Sequence, residues 1–468
     1  MINLRTARSL QEGRRLLLAH RGLDELSAPP GLAARIQTTF GEPLTPGQVV
    51  ERIVTAVKAE GDVALERYCR LIDGSFPRPL IVDRSEMEAA RRAISPELLS
   101  AFQTSAERIL AFHRKALRQS WFETSPSGSY GQIVRPLSRV GLYVPGGTAA
   151  YPSSLLMSAL PAKAAGVQDV IVTTPPARDG SVPAVVLAAA DVAGVSAVYR
   201  VGGAQAIAAM AYGTETIPRV EKILGPGNLF VALAKRMVAG TVGIDAITGP
   251  TETLIVADDS TPLEHVAADL LAQAEHDVLA QAVLITTSST LLDGLPAELE
   301  RQLAGLSRAS IARESMEGRG VAVLVSTLDE ALELANEYAP EHLCLEVEEP
   351  WSVLDSVRAA GGVFLGTRSI EALGDYVAGP SPVMPTGGSA RFSSPLTVDD
   401  FLKVSSLFAV SEEGLRTLGP AAVLMARSEG LDAHAASVQR RLDERIRRGV
   451  DATSPDPSAN ANSADEGM

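Results

Sequence analysis

The amino-acid sequence predicts an α/β fold of two facing parallel-sheet domains, with helical extensions at the N- and C-termini. Three observations lead there. Short apolar runs alternate with segments of helical period through the middle of the chain, the pattern of βαβ units. Hydrophobic residues make up 46%, charged residues 21% and aromatics only 4%, so Leu, Val, Ala and Ile must build the core, as in sheets buried on both faces. The length of 468 residues suffices for about three domains, or two with long extensions.

In chain order, residues 1–44 read as a charged helical extension without enough apolar face to fold alone. Helical stretches are expected at 46–69 and 84–117. The first alternating series then runs through strand 140–144, helix 153–166, strand 169–174 and helix 183–193. It continues through strand 197–201, helix 204–212, strand 222–224 and helix 229–238. A second series places strands at 253–257, 282–286, 321–325, 343–347 and 362–365, with the clearest helices at 263–280 and 328–338. Residues 375–395 are rich in Gly, Pro and Ser and predict an irregular, functional loop. Residues 401–448 return to helix, and 451–468, rich in Ser, Asn, Ala and Pro, predict disorder. The expected domains are the extension 1–44, a first α/β domain of 45–138 with 250–395, a second of 139–249, a helical C-terminal region 396–450 and the tail 451–468.

The net charge of −14 leaves no basic patch for nucleic acid, since four of those charges lie in the tail and the rest spread over the body. Only Cys69 and Cys344 occur, far apart, which argues against a disulfide framework and for a reducing compartment. The first 25 residues carry Arg5, Arg8, Arg14 and Arg15 with a brief apolar stretch. They read as neither a secretory signal nor a membrane span. A cytoplasmic location is expected.

No GxGxxG follows a strand, and no Walker loop, GxSxG or HExxH occurs. Histidine is rare: His20, His113, His265, His276, His342 and His434. Gln273 and His276, three apart on the expected helix 263–280, would share a face and grip one metal with ligands from elsewhere. A polar pair on a helix is, however, ordinarily solvated or structural. Glu341-His342 stands at a strand edge, well placed for proton transfer, though such a pair also suits an exposed turn. Gly225-Pro226-Gly227-Asn228 and Pro145-Gly146-Gly147-Thr148 both join a strand to a helix. Their N–H groups suit an anion such as a pyrophosphate, or merely a tight turn. The residues alone thus describe an α/β protein with candidate metal and anion sites.

Taken in order, the segments resemble the histidinol dehydrogenase family. They are Gly141-Leu142-Tyr143-Val144-Pro145-Gly146-Gly147, Gly202-Gly203-Ala204-Gln205-Ala206-Ile207-Ala208 and Lys222-Ile223-Leu224-Gly225-Pro226-Gly227-Asn228. Further along come Asp269-Leu270-Leu271-Ala272-Gln273-Ala274-Glu275-His276, Ala339-Pro340-Glu341-His342, Gly362-Val363-Phe364-Leu365-Gly366, Gly374-Asp375-Tyr376 and Leu431-Asp432-Ala433-His434. The resemblance covers roughly residues 46–441. It implies two incomplete Rossmann-like domains, one zinc ion per subunit, NAD and an intertwined homodimer whose dimerisation region is 396–450. By the same resemblance, zinc is held by Gln273, His276, Asp375 and His434, the last from the partner subunit. Glu341 and His342 are the catalytic pair. Tyr143, Gln205 and Asn228 touch NAD, and Thr251 and Glu429 contact the substrate along with Gln273, His276, His342, Asp375 and His434. The implied reaction is the four-electron oxidation of L-histidinol, a small amino alcohol, to L-histidine through a bound aldehyde. His342 takes the hydroxyl proton, and Glu341 helps to activate water.

Pro382, in Gly379-Pro380-Ser381-Pro382-Val383-Met384-Pro385-Thr386, stands where the family normally carries a substrate-pocket His. Proline has neither a side-chain hydrogen bond nor an N–H to offer. This departure keeps open a paralogous zinc- and NAD-dependent dehydrogenase of another small amino or sulfonated alcohol, such as sulfopropanediol. Glu429 favours histidinol, because a carboxylate suits a cationic substrate. A decayed, non-catalytic relative would have lost a zinc ligand or the Glu-His pair, and both are kept.

Overall fold

The computed structural model describes residues 2–18, 31–146, 150–246 and 249–451. His20, Gly147, Thr148 and the tail 452–468 therefore lie outside the described residues. The chain divides into two compact units, Met1–Leu117 with Pro136–Leu402, and Arg118–Arg135 with Lys403–Met468.

The first unit holds two parallel sheets. One has five strands in the order Ala197–Arg200, Asp169–Thr174, Arg139–Tyr143, Lys222–Leu224, Gly243–Ile244. Alternation along its strands feeds two cores. Val140 and Leu142 enter one core, where the helices Arg84–Ala93, Pro96–Lys115, Pro152–Ala165 and Ala184–Ala193 lie. Tyr143 and Ile171 point the other way, against Pro46–Glu60, Asp62–Ile72, Gly203–Tyr212 and Leu229–Val238. Both faces are covered, which is why these strands read as near-continuous apolar runs.

The other sheet has six strands: Arg5–Ala7, Val321–Leu324, Gln281–Thr286, Glu252–Ala257, His342–Glu346 and Gly362–Leu365, in that spatial order. Ile255 and Leu284 pack under the helices Leu263–Ala274, Ser289–Leu303 and Ala309–Arg319. Leu254 and Val283 face Leu10–Leu18 and Leu328–Tyr338. The α/β architecture with parallel sheets is the expected one.

Several local expectations are corrected. The N-terminal segment is not wholly helical, because Arg5–Ala7 adds an edge strand beside Val321–Leu324. The stretch 46–69 is two helices, broken at Gly61, whose φ of 57 halts the first. The helix expected over 263–280 stops at Ala274, since the Asp277 side chain accepts the Leu279 N–H at 2.9 Å and offers the backbone a turn instead. Helices within 45–138, expected to accompany 250–395, pack on the five-stranded sheet.

The second unit contains the antiparallel pair Trp121–Ser125 and Gly128–Pro136, with Leu402–Val410 alongside, so 401–448 is not all helix. The helices Glu412–Ser428 and Asp432–Asp451 follow. Phe122, Phe408, Leu424 and Met425 of this unit are exposed. Among the described residues, no helix is long and apolar enough to cross a membrane.

Candidate active site

Glu341 and His342 sit where the helix Leu328–Tyr338 hands over to the central part of the six-stranded sheet. Ala339 ends that helix in the left-handed region, at φ 51, which costs an L-residue about 1–2 kcal/mol. Pro340 prevents any continuation. The carbonyl oxygens of Pro340 and Glu341 accept from the Gly361 and Gly362 N–H groups at 2.9 and 2.8 Å, fixing the pair in the sheet.

The Glu341 carboxylate is buried, and its Oε2 accepts from Thr251 Oγ1 at 2.7 Å and from the Glu252 N–H at 2.9 Å. Burial pushes its pKa up to about 7, against the pull of His342, Thr251 and the Glu252 N–H. Nδ1 of buried His342 lies 3.1 Å from the Glu252 carbonyl oxygen. A carbonyl only accepts, so Nδ1 carries the proton and donates it, which leaves the lone pair on Nε2. Among the described residues, Nε2 has no protein partner. The ring thus presents a free basic nitrogen from a fixed orientation.

Asp375 lies in a single π turn, Gly374–Ala378, held from behind by the helix Pro96–Lys115. Ser105 Oγ donates to the Tyr376 carbonyl oxygen at 2.6 Å and Arg108 Nε to that of Val377 at 2.8 Å. His342, Glu371 and Asp375 bring donor atoms within 4.8 Å of one another. Glu371 also accepts from Thr253 Oγ1, and its Oε1 is 3.5 Å from His342 Nδ1. Burial raises the Glu371 and Asp375 carboxyls, Asp375 adding to the rise at Glu371 while His342 and His276 pull Asp375 down.

His276 falls beyond its helix, in the turn after Ala274, and its N–H donates to the Gln273 carbonyl oxygen at 3.3 Å. It keeps an exposed face, yet the protein packed around it lowers its pKa, with Asp375 the leading opposing charge. Gln273, on the last turn of the helix, is completely buried, and neither amide atom has a partner among the described residues. Leaving such a group unsatisfied costs about 1–3 kcal/mol, so this amide is placed for a ligand from outside the chain, while His342 Nε2 is left free as a base. The His276 imidazole, the Asp375 carboxylate and the Gln273 amide oxygen are donor types that zinc accepts. The residues present therefore fit a zinc ion.

Glu371 escaped the sequence reading. Its spacing of four from Asp375 on a helical turn, with apolar neighbours, is the signal that marks it. Glu429 and His434 belong to the second unit. Glu429 is the exposed C-cap of the helix Glu412–Ser428, and His434 is exposed in the first turn of Asp432–Asp451.

The expected NAD residues gather at the carboxyl edge of the five-stranded sheet, where open α/β sheets bind ligands. Tyr143 Oη accepts from the Gly203 N–H at 3.1 Å. Gln205, two residues on, is buried and donates from Nε2 to Asp73 at 3.1 Å. Asn228 caps the helix Leu229–Val238, its Oδ1 accepting from the Phe230 and Val231 N–H groups.

Comparison with known proteins decides the family. The model of the histidinol dehydrogenase family matches residues 44–442. The chain belongs to the histidinol dehydrogenase family. A histidinol dehydrogenase of Deinococcus radiodurans is 54% identical over 424 residues, covering 90% of this chain and 97% of that protein. One from Moorella thermoacetica is 52% identical over 84% of this chain and 93% of its own length. The crystal structure of histidinol dehydrogenase from Elizabethkingia anophelis superposes with a TM-score of 0.87 at 33% identity, covering 95% of this chain and 99% of that one. Histidinol dehydrogenases are NAD-dependent, zinc-binding oxidoreductases of histidine biosynthesis, and at these identities the sulfonated-alcohol alternative is not favoured.

Proposed function

We propose that this chain oxidises L-histidinol to L-histidine in two successive NAD-linked steps at the site around His342. The observation that carries this is His342 itself, locked by the Glu252 carbonyl with a free Nε2, its Nδ1 3.8 Å from Oε2 of the buried Glu341.

Gln273, His276 and Asp375 hold the zinc ion, with His434 supplied by the second protomer of an intertwined homodimer. Zinc, when bound, supplies a Lewis acid that orients the amino alcohol and polarises its oxygen. NAD, when bound against Tyr143, Gln205 and Asn228, accepts the hydride. His342 Nε2 takes the hydroxyl proton in the first step. In the second, Glu341 with His342 takes a proton from the water that adds to the aldehyde. Glu429 meets the cationic end of the substrate. The exposed apolar side chains of the second unit support its role in dimerisation, and two buried, unpaired cysteines support a cytoplasmic setting.

Thr251 stands in the substrate shell, yet its hydroxyl is engaged with Glu341. Thr251→Val keeps the shape and removes one of the carboxylate's two donors. The aldehyde-to-acid step should slow about tenfold, the scale of a lost hydrogen bond to a charged group, with the alcohol step nearly unchanged. Single-turnover assays started from histidinol and from the aldehyde measure the two.

The test of the proposal is direct. The purified protein is given NAD with L-histidinol or with a sulfonated propanediol, and L-histidine should form from the first alone. Turnover of the sulfonated diol with none of histidinol would overturn it. Pro382→His, on a loop pinned by the Val383 N–H to Ser381 Oγ at 3.3 Å, should raise kcat/KM for L-histidinol by about 5-fold or more if the family imidazole adds a contact. No gain would show that this pocket manages without it.

A further inference from the structure

Beneath the turn assigned to NAD lies a buried ion pair that the chemistry above does not use. Lys235, 2% exposed, and the Asp245 carboxylate, whose side chain is 5% exposed, pair with each other. Lys235 Nζ also donates to the Gly225 carbonyl oxygen at 3.0 Å, while the Gly225 N–H donates to Asp245 Oδ2 at 2.7 Å. Both charges are thus directed at the two polar groups of one glycine. That glycine has φ +112, and a Cβ on it would lie 2.2 Å from the Tyr143 carbonyl oxygen, so only glycine fits against the neighbouring strand.

A buried ion pair is a poor source of stability. Apolar residues of similar volume often replace one without loss, because desolvation offsets the attraction. What this pair adds is geometry. Lys235 comes from the helix that Asn228 caps, and Asp245 follows the neighbouring strand Gly243–Ile244, its N–H donating to the Ile223 carbonyl oxygen at 3.3 Å. Together they tie the turn 225–228 to the elements on either side of it.

We propose that Lys235 and Asp245 are positioning residues for NAD: they set the Gly225 peptide and so aim the 225–228 turn at the dinucleotide. The inference rests on the assignment of Asn228 to the cofactor site. The experiment is calorimetric titration of the zinc-loaded full-length protein with NAD. The variants are Lys235→Met, Asp245→Asn, the charge-free double variant Lys235→Met with Asp245→Leu, and Asn228→Ser, which keeps the helix cap. Each single variant should weaken NAD binding about tenfold or more, while zinc content and the KM for histidinol stay within about twofold. The double variant is the decisive arm, because removing both charges restores the thermal midpoint without restoring the grip on Gly225. It should stay weak for NAD. Recovery of wild-type NAD affinity in the double variant, or an unchanged Kd in the single ones, would overturn the proposal. An unchanged Kd in Asn228→Ser would instead remove the cofactor assignment on which it stands.

Discussion

His342→Asn should lower kcat for histidinol oxidation by about 10²- to 10⁴-fold, the range supplied by a positioned general base, while zinc content stays at the wild-type level. Both half-reactions should suffer, since each needs a proton removed at Nε2, and Asn offers no basic nitrogen there. Glu341→Gln should behave differently. The amide still fills the buried pocket beside Thr251 and Glu252, so the alcohol step proceeds, while oxidation of the aldehyde slows because the base for water is gone. Equal losses in the two half-reactions for Glu341→Gln would contradict this division of labour. The pH profile gives a further check. Burial holds the Glu341 carboxyl at about 7, above its ordinary 4.5, so the aldehyde step should rise with pH through that region. Stability runs the opposite way. A folded-state value above the unfolded one means that the folded chain holds the extra proton. The contribution is fully present below about 4.5 and is lost as pH rises through about 7. Glu341→Gln should flatten both trends.

The second large effect is a rescue. His276→Asn and His434→Asn should each be nearly inactive, because each deletes a zinc ligand in every site. Co-expressed in equal amounts they should recover up to about a quarter of wild-type activity. Half of the randomly assembled dimers carry one chain of each kind. In such a dimer one site has lost both ligands and the other has kept both, provided that the two ligands come from different chains. Zinc bound per dimer should follow the same proportion. A mixture as inactive as its components would place His276 and His434 in the same chain's site and remove the intertwined dimer from the account.

Much of the fold was legible in the sequence because buried parallel strands leave a plain signature. The strands 169–174, 222–224 and 362–365 were expected within the bounds observed, and the other interior strands lie within a residue of theirs. The strands that escaped carry no such signature. Arg5–Ala7 is only three residues long, too short for a period to show. Trp121–Ser125 is exposed along its whole length and so lacks an apolar face turned inward. The packing of 46–115 escaped for another reason: an amphipathic helix announces that it will be covered, not by which sheet. At the site, motifs of unusual composition such as Ala339-Pro340-Glu341-His342 stood out, whereas Glu371 sat in an ordinary helical turn. Its meaning appears only when Thr253 and His342, far away in sequence, close around it. Thr251's hydrogen bond to Glu341 was hidden likewise, since a strand register decides which side chains meet.

The most direct measurement is the NADH yield from a limiting amount of L-histidinol, with NAD in excess, for protein stripped of metal and then reloaded with zinc. The account predicts no reaction from the stripped protein, and from the reloaded protein two NADH and one L-histidine for each histidinol consumed. One NADH per histidinol with aldehyde released into solution, or full activity without zinc, would contradict it.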